Sequence, residues 1–130
     1  YLSTLVSELV GTLEKSGRKT SIATHFDRVD LASDRAVSVG MIVTELLTNA
    51  IKYAYPAGGG EIRVFFQRID DESAMLIVED DGIGYDTAAT PTGTGLGTRI
   101  VASMAKTLGS GINYVSRPIG TRAEVPISLT

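Results

Sequence analysis

The sequence contains no cysteine, and this absence excludes disulfide bonds, thiolate metal sites and cysteine nucleophiles together. It has no excess of basic residues: 12 lysines and arginines stand against 15 aspartates and glutamates, too few to neutralise a nucleic-acid backbone. There is no run of about eighteen apolar residues, the length that a membrane-spanning helix needs. We therefore expect a cytoplasmic module, in a reducing compartment, that contacts neither nucleic acid nor a membrane.

The composition fits a single globular domain. The chain has 130 residues, enough for one hydrophobic core but too few for two domains of ordinary size. Apolar residues make up 43% of it and charged residues 21%, close to the usual soluble globular mixture. We expect one domain over residues 1–130.

The spacing of apolar residues predicts both helices and strands. Helical spacing occurs over residues 1–17, 34–54 and 96–108, where Gly109 ends the last pattern. Strand patterns occur in five stretches, KTSIATHF, EIRVFFQRI, SAMLIVED, INYVS and TRAEVPIS. Pro126 in the last of them predicts a sheet edge or a bulge, because proline has no amide hydrogen to donate. The order of these elements favours an antiparallel or mixed sheet that is covered on one face by helices.

The familiar phosphate-binding motifs are missing, since neither G-x-x-x-x-G-K-[ST] nor a strand followed by G-x-G-x-x-G occurs. Three polar groups of residues are present instead. The first comprises Glu45, Asn49 and Lys52, which fall within roughly 60° of one another around a helix. Such a set can orient a water or hydroxyl, ligate Mg²⁺ and meet a phosphate. The same residues also fit an ordinary solvated helix face.

The second group is DDGIG, residues 80–84, at the end of a predicted strand. Strand alternation places Asp80 on the same face as Leu76 and Val78, and Asp81 on the opposite face. A core-facing carboxylate needs a hydrogen-bond donor, and the exocyclic amine of a purine would serve. An ordinary acidic turn explains the same letters.

The third group is GTGLG, residues 93–97, where the last helical pattern begins. A glycine-rich helix start offers free backbone amides and the positive end of the helix dipole, which together suit phosphate oxygens. Residues 84–95 before it have no periodicity and predict a surface loop of the kind that covers ligands. In the last strand, Thr121 alternates in phase with Val125 and Ile127, so its hydroxyl is expected to face the interior.

In this order and spacing, E-x-x-x-N, D-x-G-x-G and G-x-G-L-G, followed by a closing Gly-Thr strand, resemble the ATP-binding boxes of the histidine-kinase superfamily. Gyrase-type ATPases and heat-shock chaperones share these boxes. The resemblance covers nearly the whole chain. It implies an α+β fold, a two-layer sandwich in which three helices cover one face of a mixed, mostly antiparallel sheet of about five strands.

The resemblance also implies roles for residues of the first box. Asn49 would ligate Mg²⁺, Glu45 would act as the polarising carboxylate of catalysis, and Lys52 would lie near the phosphates with Tyr53 beside the nucleotide.

Roles for the remaining boxes follow in the same way. Asp80 would hydrogen-bond the adenine amine, and Thr121 would assist through a water molecule. Six further residues would shape the pocket or border the lid and meet the phosphates, namely Gly82, Gly84, Gly93, Gly95, Leu96 and Gly97.

The activity implied by this resemblance is that of a kinase module. It would bind ATP with Mg²⁺ and donate the γ-phosphate to a histidine on a dimerisation region upstream of Tyr1. The implied partners are that dimerisation region and a response-regulator receiver domain, within a parent kinase expected to be a homodimer. The stretches YLSTLVSELV, ELLTNAIKYAYP and GLGTRIV look most like the subfamily whose dimerisation region differs from the commonest type. The loop between the glycine boxes departs from the common pattern, because it is short and has no phenylalanine box.

The only histidine, His25, lies in a strand pattern ahead of the boxes, so we expect it to be structural or at the surface and not the phosphoacceptor. Two other functions remain open. A serine kinase of the anti-sigma type shares the boxes. A docking module for a receiver protein that has lost ATP binding would keep the fold, although the intact Asn49 and Asp80 speak against it.

Overall fold

The computed structural model describes residues 20–29, 31–53, 60–81, 96–116 and 120–129. Five strands and two helices lie within them, in the order β1 (Thr20–Phe26), α1 (Ser33–Tyr53), β2 (Gly60–Arg68), β3 (Ser73–Asp80), α2 (Leu96–Leu108), β4 (Asn113–Ser116) and β5 (Thr121–Ser128). Each predicted strand is present, and α2 ends at Leu108, directly before Gly109 as the sequence predicts. The helix predicted over residues 1–17 lies outside the described residues.

The strands form one sheet with the order β1-β2-β3-β5-β4. Strand β1 pairs with β2 in parallel, and the other three pairings are antiparallel. The parallel pair follows from α1, because a helical crossover brings the chain back to the same end of the sheet. The sheet is therefore mixed and mostly antiparallel, as predicted.

One face of the sheet packs against the helices. Exposure alternates along β2 and β5, as expected for strands with a single core face, and along β3 except at Ile77, which is also buried. Both helices contact the sheet and each other, which gives the predicted two layers. Each fully buried aliphatic side chain contributes about 1.5–3 kcal/mol to stability. The largest fully buried side chains are Ile42, Leu47, Ile62, Leu76, Ile127, Val39, Val43, Val64 and Val125.

The β2–β3 connection is a turn held by Asp70. Its carboxylate accepts hydrogen bonds from the Glu72 backbone amide at 2.8 Å and from the Ser73 hydroxyl at 2.9 Å. Both bonds lower the pKa of Asp70, because they stabilise the charged form, and the bond from Glu72 has the larger effect. The turn formed by Asp70, Asp71 and Glu72 thus contains its own stabilising side chain.

At Pro126, strand β5 is paired with β3 but no longer with β4. The last β5 residue paired with β4 is Glu124, so the missing amide hydrogen of Pro126 costs no bond to β4. Helix α2 ends against this part of β5, where a Cβ on Gly109 would overlap the carbonyl oxygen of Pro126. No helix among the described residues is long and apolar enough to cross a membrane.

Candidate functional site

A cavity of about 30 Å³ lies between α1 and the end of the sheet formed by β3, β5 and β4. Its walls carry both apolar and polar side chains, and each of these four elements contributes at least one. The lining residues are Leu46, Asn49, Ala50, Val78, Asp80, Tyr114, Thr121 and Ala123. The structure therefore brings together Asn49 of the E-x-x-x-N box, Asp80 of the D-x-G-x-G box and Thr121 of the closing Gly-Thr strand.

Asp80 is the last residue of β3 and faces the cavity. It is 6% exposed, and among the described residues it is the only buried polar or charged one. The alternation of β3 explains this position, because Leu76 and Val78 on the same face are buried in the core. A carboxylate has about four lone-pair sites, so Asp80 can accept a ligand donor in addition to protein donors.

Thr121 begins β5 and is the direct register partner of Asp80. Both side chains line the cavity, as their alternation predicts. Gly120 makes this pairing possible. It has a φ of 86°, and a Cβ there would overlap the Asp80 carbonyl oxygen and lie 2.7 Å from the carbonyl carbon. The chain can therefore enter β5 this close to β3 only with glycine at this position.

Helix α1 supplies Asn49 to the cavity, between the lining residues Leu46 and Ala50. Glu45 lies one helical turn earlier; it is half-buried and does not line the cavity. Of the two stripe residues whose side chains the structure describes, Asn49 joins Asp80 and Thr121 at the cavity and Glu45 does not. Lys52 and Tyr53 are in the last turn of α1, and their side chains lie outside the described part of the chain.

Helix α2 begins at Leu96, within the glycine-rich group of residues 93–97, as the sequence predicts. Leu96 and Gly97 therefore belong to its first turn, in which backbone amides have no partner within the helix. The other predicted glycine-box residues lie outside the described residues. They are Gly82, Gly84, Gly93 and Gly95.

Tyr114 is a lining residue that the sequence reasoning missed. It lies on β4, pairs with Ala123 of β5, and presents a ring with a polar tip to the same cavity as Asp80. The alternation of INYVS puts Tyr114 and Ile112 on one face, and both pack against the core. That signal could have identified the face of Tyr114, although not its proximity to Asp80.

The described residues contain no cluster of three or more histidine, aspartate or glutamate side chains that could hold a metal ion. Mg²⁺ in nucleotide sites commonly has one or two protein oxygens and completes its shell with phosphates and water. The amide oxygen of Asn49 at the cavity fits that donor set.

His25 is at the surface of β1, with 65% of its side chain exposed and its Nε2 3.5 Å from Asp27 Oδ1. It lies in the edge strand β1 and is separated from the cavity strands β3 and β5 by β2. The predicted strand position and surface exposure of His25 are therefore confirmed.

Comparison with known proteins agrees with this fold. The family model for histidine kinase-, DNA gyrase B- and HSP90-like ATPases matches residues 34–130, and the chain belongs to this family. Blue-light-activated histidine kinase 2 from Erythrobacter litoralis is 31% identical over 106 residues, which cover 80% of this chain and 31% of that protein. An uncharacterized sensor-like histidine kinase from Chloroflexus aurantiacus is 35% identical over 66 residues, which cover 51% of this chain and 11% of that protein.

Solved structures of histidine kinases have the same fold as this chain. The blue-light activated histidine kinase EL346 of Erythrobacter litoralis superposes with a TM-score of 0.84 at 29% identity, covering 99% of this chain and 41% of that one. The catalytic domain of the histidine kinase ThkA shares the fold, with a TM-score of 0.75 at 19% identity over 99% of this chain and 92% of that one. The chain thus spans about a third or less of the curated relatives but nearly the whole of an isolated catalytic domain.

Proposed function

We propose that this chain is the ATP-binding catalytic module of a sensor histidine kinase, which binds Mg-ATP and donates the γ-phosphate to a histidine on a separate dimerisation region. The observation that carries the proposal is the meeting of Asn49, Asp80 and Thr121 in one cavity. Two of the boxes and the closing Gly-Thr strand, which are distant in sequence, contribute to this one cavity. The similar proteins named above are histidine kinases, which favours a histidine acceptor over the serine acceptor of an anti-sigma-type kinase.

Adenine recognition would fall to Asp80. Its carboxylate is fixed at the end of a strand and buried, so it would accept a hydrogen bond from the exocyclic amine with little competition from bulk water. Thr121 would act through a water molecule, and a cavity of about 30 Å³ is large enough to hold one. Four apolar lining residues would contact the base, namely Leu46, Ala50, Val78 and Ala123.

The phosphates would be held at the other side of the site. Asn49 would ligate Mg²⁺, which neutralises charge on the β- and γ-phosphates when bound. Lys52 and the first-turn amides of α2 would meet phosphate oxygens, and Tyr53 would lie beside the nucleotide. Glu45 would polarise the acceptor. Five glycines and Leu96 would shape the pocket and the lid, namely Gly82, Gly84, Gly93, Gly95 and Gly97 together with Leu96.

The transfer step needs an acceptor from outside the chain. A nitrogen of the acceptor imidazole would bond to the γ-phosphorus while the bond from that phosphorus to the β,γ-bridging oxygen breaks, and ADP would leave. The dimerisation region and a receiver domain are the implied partners, in a homodimeric parent kinase of a two-component system.

Nucleotide binding is the first test. We expect the isolated chain to bind ATP and ADP weakly to moderately, with Mg²⁺ strengthening ATP binding, because Asn49 and the phosphates would share the ion. Titration calorimetry and thermal unfolding, each with and without Mg²⁺, measure this directly. A ligand that binds only the folded state must stabilise it, so absence of heat and of any melting shift at millimolar nucleotide would rule the proposal out.

The missing acceptor gives a second test. We expect no phosphate on the isolated chain after incubation with radiolabelled ATP, because His25 is exposed in an edge strand away from the cavity. Adding the upstream dimerisation region should restore labelling, and a His25→Ala chain should support it equally well. Acid-labile phosphate on His25 of the isolated chain would contradict this prediction.

A further inference from the structure

The face of the sheet behind the cavity carries a network of charged side chains. Alternation directs Asp80 and Thr121 toward the helices, so their neighbours Glu79, Asp81 and Arg122 are directed to the opposite face. Arg63 of β2 lies on that same opposite face, because its register partner is Glu79. The network therefore stands directly behind the pair of residues that would recognise the base.

Arg63 is the centre of this network. Its Nη2 and Nη1 donate to the two carboxylate oxygens of Asp81 at 2.7 and 2.9 Å, a bidentate pair. Its Nε donates to Glu79 Oε1 at 2.7 Å, and Nη1 also donates to Glu61 at 2.9 Å. Hydrogen bonds to the three carboxylates raise the pKa of Arg63, and the bond to Asp81 has the largest effect. The described partners of Arg63 are thus on β2 itself, on β3 or directly after the end of β3.

Two of the carboxylates that Arg63 binds, Glu79 and Asp81, flank Asp80 in sequence. The ladder between β2 and β3 ends at the pair of Ile62 with Asp80. Strand ends fray when their terminal pairs lack further support. Because Arg63 is hydrogen-bonded to both Glu79 and Asp81, it fixes the residues on either side of Asp80.

Partial burial makes the ion pair between Arg63 and Glu79 stronger than an ordinary surface ion pair. The side chains of Arg63 and Glu79 are 20% and 12% exposed, so solvent screens their attraction less than it screens exposed charges. Bidentate geometry and networks are the cases in which such pairs contribute measurably. Arg122 extends the network to β5, with Nη1 3.5 Å from Glu79 Oε2.

We propose that Arg63 is a positioning residue for the nucleotide site: by holding Glu79 and Asp81, it keeps the Asp80 carboxylate directed into the cavity. This inference rests on the proposed function, since it concerns the binding of an adenine nucleotide. Arg63 itself touches no ligand, because it lies on the opposite face of the sheet.

The test compares ADP and GDP affinity in purified variants by calorimetry, at a temperature where circular dichroism shows each variant folded. Arg63→Met should weaken ADP binding about fivefold to twentyfold, which lies within the range of coupling between residues in one network. Arg63→Lys should lie between wild type and Arg63→Met, because lysine keeps the charge but cannot form the bidentate pair. Asp81→Asn should weaken ADP binding two- to fivefold, roughly, since Glu79 and Glu61 remain as partners.

Base selectivity separates positioning from general stability. A loss of stability alone leaves the ADP-to-GDP affinity ratio of the folded molecules unchanged, whereas a misdirected Asp80 lowers that ratio. The matched control is Arg68→Met, which removes an arginine paired with Asp71 at the opposite end of the same strands, where both side chains are well exposed. We expect this control to bind both nucleotides like wild type.

The outcomes distinguish the two proposals. Wild type that binds no ADP would defeat the proposed function and, with it, this inference. Wild type that binds ADP, together with Arg63 variants whose affinity and base ratio stay within twofold of it, would defeat the inference alone. If Arg63→Met does not fold, Arg63→Lys and Asp81→Asn decide the question by the same two measurements.

Discussion

Replacing Asp80 by Asn is expected to weaken ADP binding by about 1–3 kcal/mol, the scale for a hydrogen bond to a charged group. Asn keeps the size of the side chain and one acceptor oxygen but loses the charge. The effect should be large because Asp80 is 6% exposed, so bulk water cannot replace the lost interaction. Titration calorimetry of the variant and the wild type measures the change in Kd.

The neighbouring carboxylate supplies the control. Asp81 is 48% exposed and paired with Arg63 on the other face of the sheet, so Asp81→Asn should weaken binding far less than Asp80→Asn.

Guanine has a carbonyl where adenine has an amine, and the wild-type site should therefore reject GDP. Asn at residue 80 can turn its amide group toward that carbonyl, which should narrow the difference between ADP and GDP. Equal affinities of the two variants for ADP, or a wild type that accepts GDP, would show that the wrong carboxylate or ligand has been assigned.

The direction of Asp80 could be predicted from the sequence because it depends only on local geometry. Side chains alternate along a strand, and β3 is long enough for Leu76 and Val78 to mark the buried face. The same reasoning applied to Thr121 through Val125 and Ile127. The start of α2 at Leu96 was equally local, since a glycine-rich stretch changes there to helical spacing.

The proximity of these residues could not be predicted in the same way. Asp80 meets Thr121 because β3 pairs with β5, two strands that α2 and β4 separate in sequence. Tyr114 reaches the cavity for the same reason, through the pairing of β4 with β5. Strand order and register depend on how the whole sheet assembles around its core, and alternation within single strands does not contain that information.

Helical spacing also has a limit at this site. Glu45 and Asn49 share a face of α1, so the sequence grouped them, but only Asn49 lies where the helix passes the end of β3. A helix face meets different neighbours along its length, and the neighbours depend on how the helix crosses the sheet. The catalytic role of Glu45 therefore stays a prediction, as do the roles of Lys52 and Tyr53.

Replacing Gly120 by Ala is expected to lower the free energy of unfolding by about 2–5 kcal/mol, the sum of a left-handed backbone penalty and an overpacking penalty. Gly120 has a φ of 86°, which residues with a side chain rarely adopt. Its Cβ would also overlap the Asp80 carbonyl oxygen and lie 2.8 Å from the Asp81 Cα. These are backbone atoms, so the overlap can be relieved only if the start of β5 moves away from the end of β3.

That movement would separate Thr121 from Asp80, so Gly120→Ala should also weaken ADP binding among molecules that remain folded. Gly111→Ala is the matched control. Gly111 has a φ of 100°, but a Cβ there would meet only Lys106 Cγ, at an ordinary 3.5 Å. The control should therefore lose only about 1–2 kcal/mol of stability, the backbone penalty, and should bind ADP like wild type.

Urea unfolding gives the two free energies and calorimetry gives the two affinities. Equal destabilisation by both substitutions would mean that β5 does not need to approach Asp80 closely, and unchanged ADP affinity in folded Gly120→Ala would mean that the Asp80 and Thr121 pairing does not position the base.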